Sequence, residues 1–455
     1  MRLSEEQLAV VNSNKEHITV NAGPGTGKTT LLLAIAKANP DRKHLILCFN
    51  ATIKEEIEEK LKKQDINNAI VKTFHGLAYN FFKTSKVNYF TNFTKRRLDE
   101  NLDYFFMFET MKKLGFVDMY MDFRIEDTMT VLRRFFSSSK KLEDCLDETI
   151  VDKRTVEYCK SVLQFIATNK DCPMFHELYI KRYQMLKPTL PEIDTILVDE
   201  YQDVSECYLD IINSISEGKR TVRVGDTYQK IYGYNGAVGM KECDFKLTVS
   251  YRVGKDTSDY CNNLVSKFFD KPILLNGVNA NAKFGTCPED NYVKIFRTNK
   301  ALMLELLESM KNGKRIVISQ KTIDELSFYK ILIEKIRDYK SRYKGIPLNG
   351  ISDLEYIYSL SKDSRLKRFI SLSSSYSYDE LLEILSHEEL LIPEDKIEDE
   401  KYIRYITAHR CKGLEFSYVK IAEDYPDEEK MLDNMDEVYI KFVAMTRSNN
   451  ILELC

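Results

Sequence analysis

The 455-residue sequence contains no tryptophan and no run of 18 apolar residues. The missing apolar run argues against a membrane span, and the polar start, MRLSEEQ, argues against a secretory signal. Ten cysteines are present, but none form a CxxC pair, so we expect reduced thiols and no structural zinc. These absences are typical of a protein that is not secreted and works in the cytoplasm, of a bacterium or a viral host, or in the nucleus.

An excess of positive charge is also missing. The chain has 67 lysines and arginines against 70 aspartates and glutamates, which gives a formal net charge of −3. This balance excludes a protein that binds nucleic acid by bulk charge, so any basic groove has to be local. The apolar content of 43% and the charged content of 30% are typical of a globular protein. The length predicts about three domain-sized units.

The most informative segment that is present reads AGPGTGKTT, between the apolar run HITV (17–20) and the helix-like run LLLAIAKA (31–38). A strand, a Gly-rich loop and a helix in this order form a cradle for phosphate, to which the helix N-terminus adds unpaired N–H groups. The strict pattern is missed at one position, where Ala22 replaces glycine. We expect Lys28 to contact the β- and γ-phosphates and Thr29 to bind Mg²⁺. The predicted nucleotide-binding residues of this segment are Ala22, Gly23, Pro24, Gly25, Thr26, Gly27, Lys28, Thr29 and Thr30.

A second segment carries an acidic pair. TILV (195–198) is a short β-branched apolar run that predicts a buried parallel strand, and Asp199 and Glu200 follow at its carboxyl end. Ligand sites of α/β sheets lie at that end. We expect Asp199 to hold Mg²⁺ and Glu200 to orient and deprotonate the attacking water.

Strand and helix signals alternate through much of the chain. HLILCF (44–49) predicts a strand and ATIKEEIEEKLKKQ (51–64) an amphipathic helix. The alternation returns at 193–224, and further strands are predicted at 293–298 and 315–319. Such alternation is typical of α/β domains with parallel sheets.

Two stretches, 86–188 and 325–400, show long helical patterns instead. Within the first, residues 96–114 are predicted to be helical. Within the second, the acidic stretch 388–400 is interpreted as solvated faces and a loop. Residues 271–291, rich in Gly, Asn and Pro, are expected to form a loop. The sequence therefore predicts two α/β units, each interrupted by a helical insertion.

Seven segments, in order and spread over the whole chain, resemble those of the UvrD/Rep-type superfamily 1A DNA helicases. They are LSEEQLAVVNS (3–13), TFHG (73–76), DEYQD (199–203), VGDTYQKIYGYNGA (224–237), LTVSYR (247–252), ITAHRCKGLEF (406–416) and FVAMTRS (442–448). FNATIK (49–54) and MFHELYIKRYQMLKP (174–188) most resemble the F-box DNA helicase branch. No F-box is expected, because only two residues precede the first of these segments.

The resemblance implies an α/β fold of two RecA-like P-loop domains with parallel sheets. The expected boundaries are 1–85 and 189–242 for the first RecA-like domain, 86–188 for its helical insertion, 243–324 and 401–455 for the second RecA-like domain, and 325–400 for a reduced second insertion.

It also implies roles around ATP. Gln7 would read the adenine edge, Tyr251 would stack on adenine, and Glu415 would bind the ribose. Arg252 and Arg447 would reach the γ-phosphate when the two units close, and Gln202 and Gln229 would relay its state to the DNA. The implied catalytic residues are Lys28, Glu200, Gln229, Arg252 and Arg447.

For the DNA, the resemblance implies contacts by Phe49, Thr73, Phe74, His75, Tyr232, Tyr234, Arg297, Thr298, Asn299, Thr407 and His409. Two positions depart from the family. Tyr234 stands where the family has a stacking tryptophan, which keeps an aromatic face. Asn235 stands where the family has an arginine, which removes a positive charge.

The implied activity is that of an ATP-dependent translocase and helicase that moves 3′→5′ on single-stranded DNA, with ATP and Mg²⁺ as cofactors. The alternative is a DNA-dependent ATPase that mainly strips proteins such as recombinase from single strands. A third reading, a nucleotide-binding switch without motor action, predicts no stimulation of hydrolysis by DNA. The expected partners are single-stranded DNA, tailed duplex DNA and DNA-repair or recombination proteins.

Overall fold

The structure, a computed structural model, divides into two compact units, residues 1–248 and 249–455. The residues it describes are 2–85, 89–99, 102–116, 120–146, 154–231, 233, 236–240, 242–338, 341–343, 345–397 and 401–454. Each unit is built around a parallel sheet, so the predicted α/β class is confirmed.

The first unit contains a six-stranded sheet in the order β3-β2-β6-β7-β1-β8 with every pair parallel. Its strands are β1 (His17–Ala22), β2 (His44–Cys48), β3 (Ala69–Thr73), β6 (Thr195–Val198), β7 (Arg220–Gly225) and β8 (Phe245–Leu247). Two short strands, β4 (Leu98–Asp99) and β5 (Met174–Phe175), pair separately. The central strands are buried on both faces, which is why they read as unbroken apolar runs.

Helices cover this sheet and form the region between β3 and β6. They are α1 (Glu5–Val11), α2 (Lys28–Ala38), α3 (Ala51–Lys63), α4 (Phe74–Thr84), α5 (Tyr104–Lys113), α6 (Met121–Ser137), α7 (Arg154–Thr168), α8 (His176–Met185) and α9 (Glu206–Ile215). The helix predicted over 96–114 is wrong in its first part. It begins only at Tyr104, because the Asp103 side chain caps it by accepting from the N–H of Phe106.

The second unit contains a seven-stranded parallel sheet in the order β11-β19-β18-β12-β17-β13-β16. Its strands, with two small pairs beside it, are β9 (Val249–Ser250), β10 (Asn276–Gly277), β11 (Lys283–Phe284), β12 (Tyr292–Phe296), β13 (Ile316–Ile318), β14 (Arg342–Tyr343), β15 (Ile346–Pro347), β16 (Leu391–Pro393), β17 (Ile403–Thr407), β18 (Phe416–Ile421) and β19 (Ser448–Leu454). The predicted loop at 271–291 therefore contains two short strands.

The helices of the second unit are α10 (Lys255–Phe268), α11 (Asn299–Lys311), α12 (Gln320–Arg337), α13 (Ile351–Ser361), α14 (Ser364–Leu372), α15 (Tyr378–Leu385), α16 (Ala408–Cys411), α17 (Glu428–Asp433) and α18 (Met435–Met445). The acidic stretch 388–400 is not only loop, because Leu391–Pro393 pairs with Ile316–Ile318 at the edge of the large sheet. Among the residues that the structure describes, no helix has the length and apolar character needed to cross a membrane.

Candidate functional site

The sequence motifs of the first unit converge on one edge of its sheet. The Gly-rich loop follows β1, Phe49 follows β2, and Phe74 and His75 follow β3. The acidic pair follows β6 and Asp226 follows β7. Because every strand of this sheet is parallel, these carboxyl ends share one edge, which is where ligands bind in α/β sheets.

The Gly-rich loop is shaped as a cradle. Gly25 and Gly27 have φ of +70° and +82°, in the left-handed region that glycine adopts without strain. Thr26 braces the turn by donating its hydroxyl to the carbonyl of Gly23 at 2.8 Å. Helix α2 begins at Lys28, whose Nζ lies 3.4 Å from the carbonyl oxygen of Ala22, so the amine folds back over the loop. Backbone N–H groups, a helix N-terminus and a lysine together can hold the phosphates of a nucleotide.

Gln7 lies behind this loop rather than open to a base. Its Nε2 donates to the carbonyls of Thr26 at 3.1 Å and Gly27 at 3.3 Å, and its Oε1 accepts from the N–H of Ser4 at 3.0 Å. An amide nitrogen has two hydrogens, and both are used here. The prediction that Gln7 reads the adenine edge therefore does not fit this conformation. The residue joins the capping box of α1 to the phosphate loop.

Asp199 and Glu200 stand at the end of β6 in a strained turn. Asp199 is buried, and its Oδ1 accepts from the N–H of Glu200 at 2.9 Å. Glu200 has a φ of +49°, unusual for a residue with a side chain and of a kind often found at functional sites. The carboxylate of Asp199 and the hydroxyl of Thr29 are hard oxygen ligands, so these residues suit Mg²⁺.

A chain of hydrogen bonds links Glu200 to β7. Gln202 is fully buried, its Nε2 donates to Glu200 Oε2, and its Oε1 accepts from the N–H of Asp226 at 2.8 Å. The carboxylate of Asp226 accepts in turn from Gln229 Nε2 at 2.6 Å. The two glutamines predicted to couple hydrolysis to DNA thus lie in one buried network with the predicted base.

Asp226 lies in the segment 224–237, but the sequence alone assigns it no role. Burial raises the pKa of its carboxyl, while the charge of Lys28 and the hydrogen bonds from Gln229 and Tyr228 act in the opposite direction. The preceding residue, Gly225, allows the close contact, because an added Cβ would lie 2.5 Å from Gln202 Oε1. A signal is present in the sequence, since Asp226 directly follows β7 as Asp199 directly follows β6.

In the second unit, Tyr251 and Arg252 follow β9. The Tyr251 side chain is 56% exposed, so its ring has a face open for stacking. Arg252 forms an ion pair with Glu415, and its NH1 donates to the carbonyl of Thr446 at 3.2 Å. Arg447 is 1% exposed, and its Nε donates to the carbonyl of Val443 at 2.8 Å. The unit thus brings the predicted arginines and Glu415 together.

In the large sheet of the second unit, the predicted ATP residues and DNA residues lie at different ends of the strands. Glu415 and Arg447 immediately precede β18 and β19, at the amino ends of the strands. Arg297 follows β12, and Thr407 ends β17, at the carboxyl ends. Because these strands are parallel, the predicted ATP residues of this sheet lie at the amino ends of the strands and the predicted DNA residues at the carboxyl ends, on opposite sides of the sheet.

An aromatic cluster marks the predicted DNA track of the first unit. Phe74 is 2% exposed and stacks on Tyr208 with ring centroids 4.4 Å apart. Phe49 contacts both rings but is only partly buried. The prediction that Phe74 stacks on DNA bases is therefore corrected to a supporting role, because burial leaves it no open face. Phe49 remains the candidate that can reach a base.

The neighbouring His75 also contacts side chains within the protein. Its Nδ1 lies 3.4 Å from the hydroxyl of Tyr179, and its Nε2 lies 3.3 Å from the hydroxyl of Tyr208. Burial lowers the pKa of His75 to about 4, and the nearby His176 acts in the same direction. Thr73 caps α4 by accepting from the N–H of Gly76. Both residues hold the turn after β3.

The remaining DNA candidates are placed as follows. Tyr232 and Tyr234, with Asn235, lie outside the described residues. Arg297 was predicted to contact DNA, but both its Nε and NH2 bond Glu437, so its charge is neutralised within the unit. Thr298 caps α11, which begins at Asn299. Thr407 is buried at the end of β17, and His409 follows in α16.

Comparison with known proteins identifies the family of the chain. Residues 3–241 match the family model described as the UvrD/REP helicase N-terminal domain. Over 99% of its length, the chain is 26% identical to F-box DNA helicase protein 1 of Schizosaccharomyces pombe and 26% identical to F-box DNA helicase 1 of Gallus gallus. The alignments cover 57% and 49% of those proteins, so the chain spans about half the length of these relatives. The predicted resemblance is confirmed.

Proposed function

The chain belongs to the UvrD/REP helicase family, and we propose that it is an ATP-dependent translocase and helicase that moves 3′→5′ along single-stranded DNA. The observation that carries the proposal is the shared sheet edge of the first unit. There the phosphate loop, the acidic pair and the network from Glu200 to Gln229 share an edge with Phe49, the partly exposed ring of the aromatic cluster. In this proposal, the same edge of the sheet hydrolyses ATP and contacts the DNA strand.

Hydrolysis in this proposal depends on Glu200 as the base that takes a proton from water. Gln202 holds one carboxylate oxygen of Glu200 by donating to it, which orients the other oxygen. Mg²⁺, held by Asp199 and Thr29, would offset the charge of the phosphates. Lys28 adds a point charge at the same place.

The second unit contributes Arg252 and Arg447. Arginines of this kind neutralise charge on the transferring phosphoryl group, an effect of about 10³–10⁵ in rate in comparable enzymes. Arg252 is held by Glu415 and the carbonyl of Thr446, and the buried Arg447 by the carbonyl of Val443, so contact with a phosphoryl oxygen would require these side chains to exchange partners. Since they belong to a different unit from the phosphate loop, hydrolysis would require both units and would be linked to their relative motion.

The DNA strand would contact Phe49 in the first unit, since any base can stack on an aromatic ring. The network from Glu200 through Gln202 and Asp226 to Gln229 gives a physical route by which the nucleotide state could reach the segment after Gln229. That segment includes Tyr232 and Tyr234.

Unwinding of short duplexes with a 3′ or a 5′ single-stranded tail tests the proposal. We expect ATP-dependent unwinding of the 3′-tailed duplex only. Unwinding of only the 5′-tailed duplex would overturn the polarity. If neither duplex is unwound while single strands coated with recombinase are cleared, stripping of proteins is the main activity.

A further inference from the structure

We infer that Asn279 is a positioning residue for ATP hydrolysis, because its side-chain amide ties together the two segments that carry Arg252 and Arg447. The inference rests on the proposed role of these arginines. Asn279 lies in the stretch 271–291, outside every motif that the sequence comparison with the family singles out.

The amide of Asn279 is fully committed to these two segments. Its Nδ2 donates to the carbonyl of Arg252 at 2.8 Å and to the carbonyl of Asn449, two residues after Arg447, at 2.9 Å. Both hydrogens of the amide are used. Its Oδ1 accepts from the N–H of Asn281 at 3.1 Å, which fixes the orientation of the amide.

The same two segments are also joined at Thr446. Arg252 NH1 donates to the carbonyl of Thr446 at 3.2 Å, and Arg447 NH2 donates to its hydroxyl at 3.1 Å. Asn279 therefore fixes the position of the main chain in the segments that carry the two arginines, whereas Thr446 contacts the guanidinium groups. Removing the Asn279 tie would leave Arg252 bonded to Thr446 but would loosen the main chain of both segments.

Asn279 is itself held in register. Its N–H donates to the carbonyl of Val253 at 3.2 Å, and the N–H of Val278 donates to the carbonyl of Ser250 at 2.9 Å. These bonds continue the parallel pairing of β10 with β9. A side chain fixed in this way can hold a neighbouring segment within the tolerance that catalysis requires, where a misplacement of about 1 Å can cost about 100-fold in rate.

Asn262 provides a matched control in the same unit. It is also partly buried, and its amide makes a similar pair of bonds, donating to the carbonyl of Leu275 at 2.8 Å and accepting from its N–H at 2.7 Å. Asn262→Ala thus removes two side-chain hydrogen bonds to the main chain and Asn279→Ala removes three. Only Asn279 touches the segments that carry the arginines.

The test measures kcat, the Kd for a fluorescent ATP analogue and the Tm of both variants on the full chain. We expect similar falls in Tm, but a fall in kcat of about tenfold or more for Asn279→Ala alone, with its Kd little changed. Equal kcat values in the two variants would overturn the inference, because the loss would then follow stability only.

Arg447→Ala and the double variant Asn279→Ala/Arg447→Ala separate this inference from the proposed function. If Asn279 acts through the arginine, adding Asn279→Ala to Arg447→Ala lowers kcat by much less than it does in the wild type. If the falls in kcat of the two single variants multiply fully in the double variant, Asn279 does not act through Arg447, and only the inference about Asn279 fails. If Arg447→Ala keeps the wild-type kcat, the proposed role of the arginine fails and the inference fails with it.

Discussion

Gln202 accepts a hydrogen bond from the backbone N–H of Asp226 at 2.8 Å, and this bond connects the turns that follow β6 and β7 at the candidate site. The other end of the same amide donates to Glu200. A displacement of β7 relative to β6 would therefore move the carboxylate of Glu200. The position of Glu200, the predicted base, therefore depends on Gln202, which does not itself take the proton from water.

Glu200→Gln tests the assignment of the base. The amide keeps the size of the side chain but cannot take a proton, so we expect turnover to fall by about 10²–10⁴ while ATP and DNA still bind. The measurement is steady-state ATP hydrolysis beside binding of a fluorescent ATP analogue. Hydrolysis within a few-fold of wild type would remove Glu200 from the mechanism.

Gly225→Ala tests whether the position of Gln202 matters. The new Cβ would lie 2.5 Å from Gln202 Oε1 and 2.9 Å from its backbone nitrogen, so the glutamine has to move. We expect a fall in kcat of about tenfold or more with ATP affinity largely kept. Gly350→Ala is the control, because its Cβ would meet no atom of the described residues within 4 Å. Equal kcat values in the two variants would contradict a role for the network.

The sequence predicted the strands after which the functional segments stand, because buried parallel strands read as apolar runs. Leu45, Ile46 and Leu47 are all fully buried in β2, as their pattern indicates. Helix starts in the first insertion were less predictable, since a single cap at Asp103 outweighed the helical pattern that precedes it. Local patterns identify elements well and their ends less well.

Side-chain partners from distant parts of the chain could not be predicted. Arg297 was expected to contact DNA, and nothing near it in sequence reveals Glu437, which is 140 residues away. Asn279 and Asp226 show the same limit. Asn279 donates to distant main-chain carbonyls, and Asp226 donates its own N–H to the side chain of Gln202, whereas a sequence motif specifies residue types rather than such contacts.

Tyr251→Ala tests the adenine platform. Stacking on an aromatic ring contributes about 1–3 kcal/mol per base, so we expect the Kd for ATP to rise by about tenfold, whereas Tyr251→Phe keeps it near wild type. Tyr356→Ala is the control, since its ring is 54% exposed in α13. An unchanged Kd in Tyr251→Ala would place the adenine elsewhere.

Phe49→Ala tests the DNA track. Phe49 is the partly exposed member of the cluster with Phe74 and Tyr208, so we expect most of the stimulation of ATP hydrolysis by single-stranded DNA to be lost. Phe123→Ala removes a ring that is 70% exposed on α6 and should leave the stimulation intact. Full stimulation in Phe49→Ala would make the ring a structural residue.

His75 predicts how the stability of the protein depends on pH. Burial lowers its pKa from 6.5 to about 4, so between these values the unfolded chain binds a proton that the folded chain does not. Stability should therefore fall as the pH drops from about 6.5 to 4, by up to about 3 kcal/mol from this group. Urea unfolding at several pH values should show this loss in wild type and His17→Gln but reduced in His75→Gln. Identical pH dependence in all three would contradict the buried neutral imidazole.

The most direct test of the proposed function is the rate of ATP hydrolysis by the wild-type chain with single-stranded DNA, with RNA of the same sequence and with neither. We expect DNA to raise the rate strongly and RNA to raise it far less. A rate that is the same in all three conditions would contradict a motor driven along DNA and would leave a nucleotide-binding switch as the function of this chain.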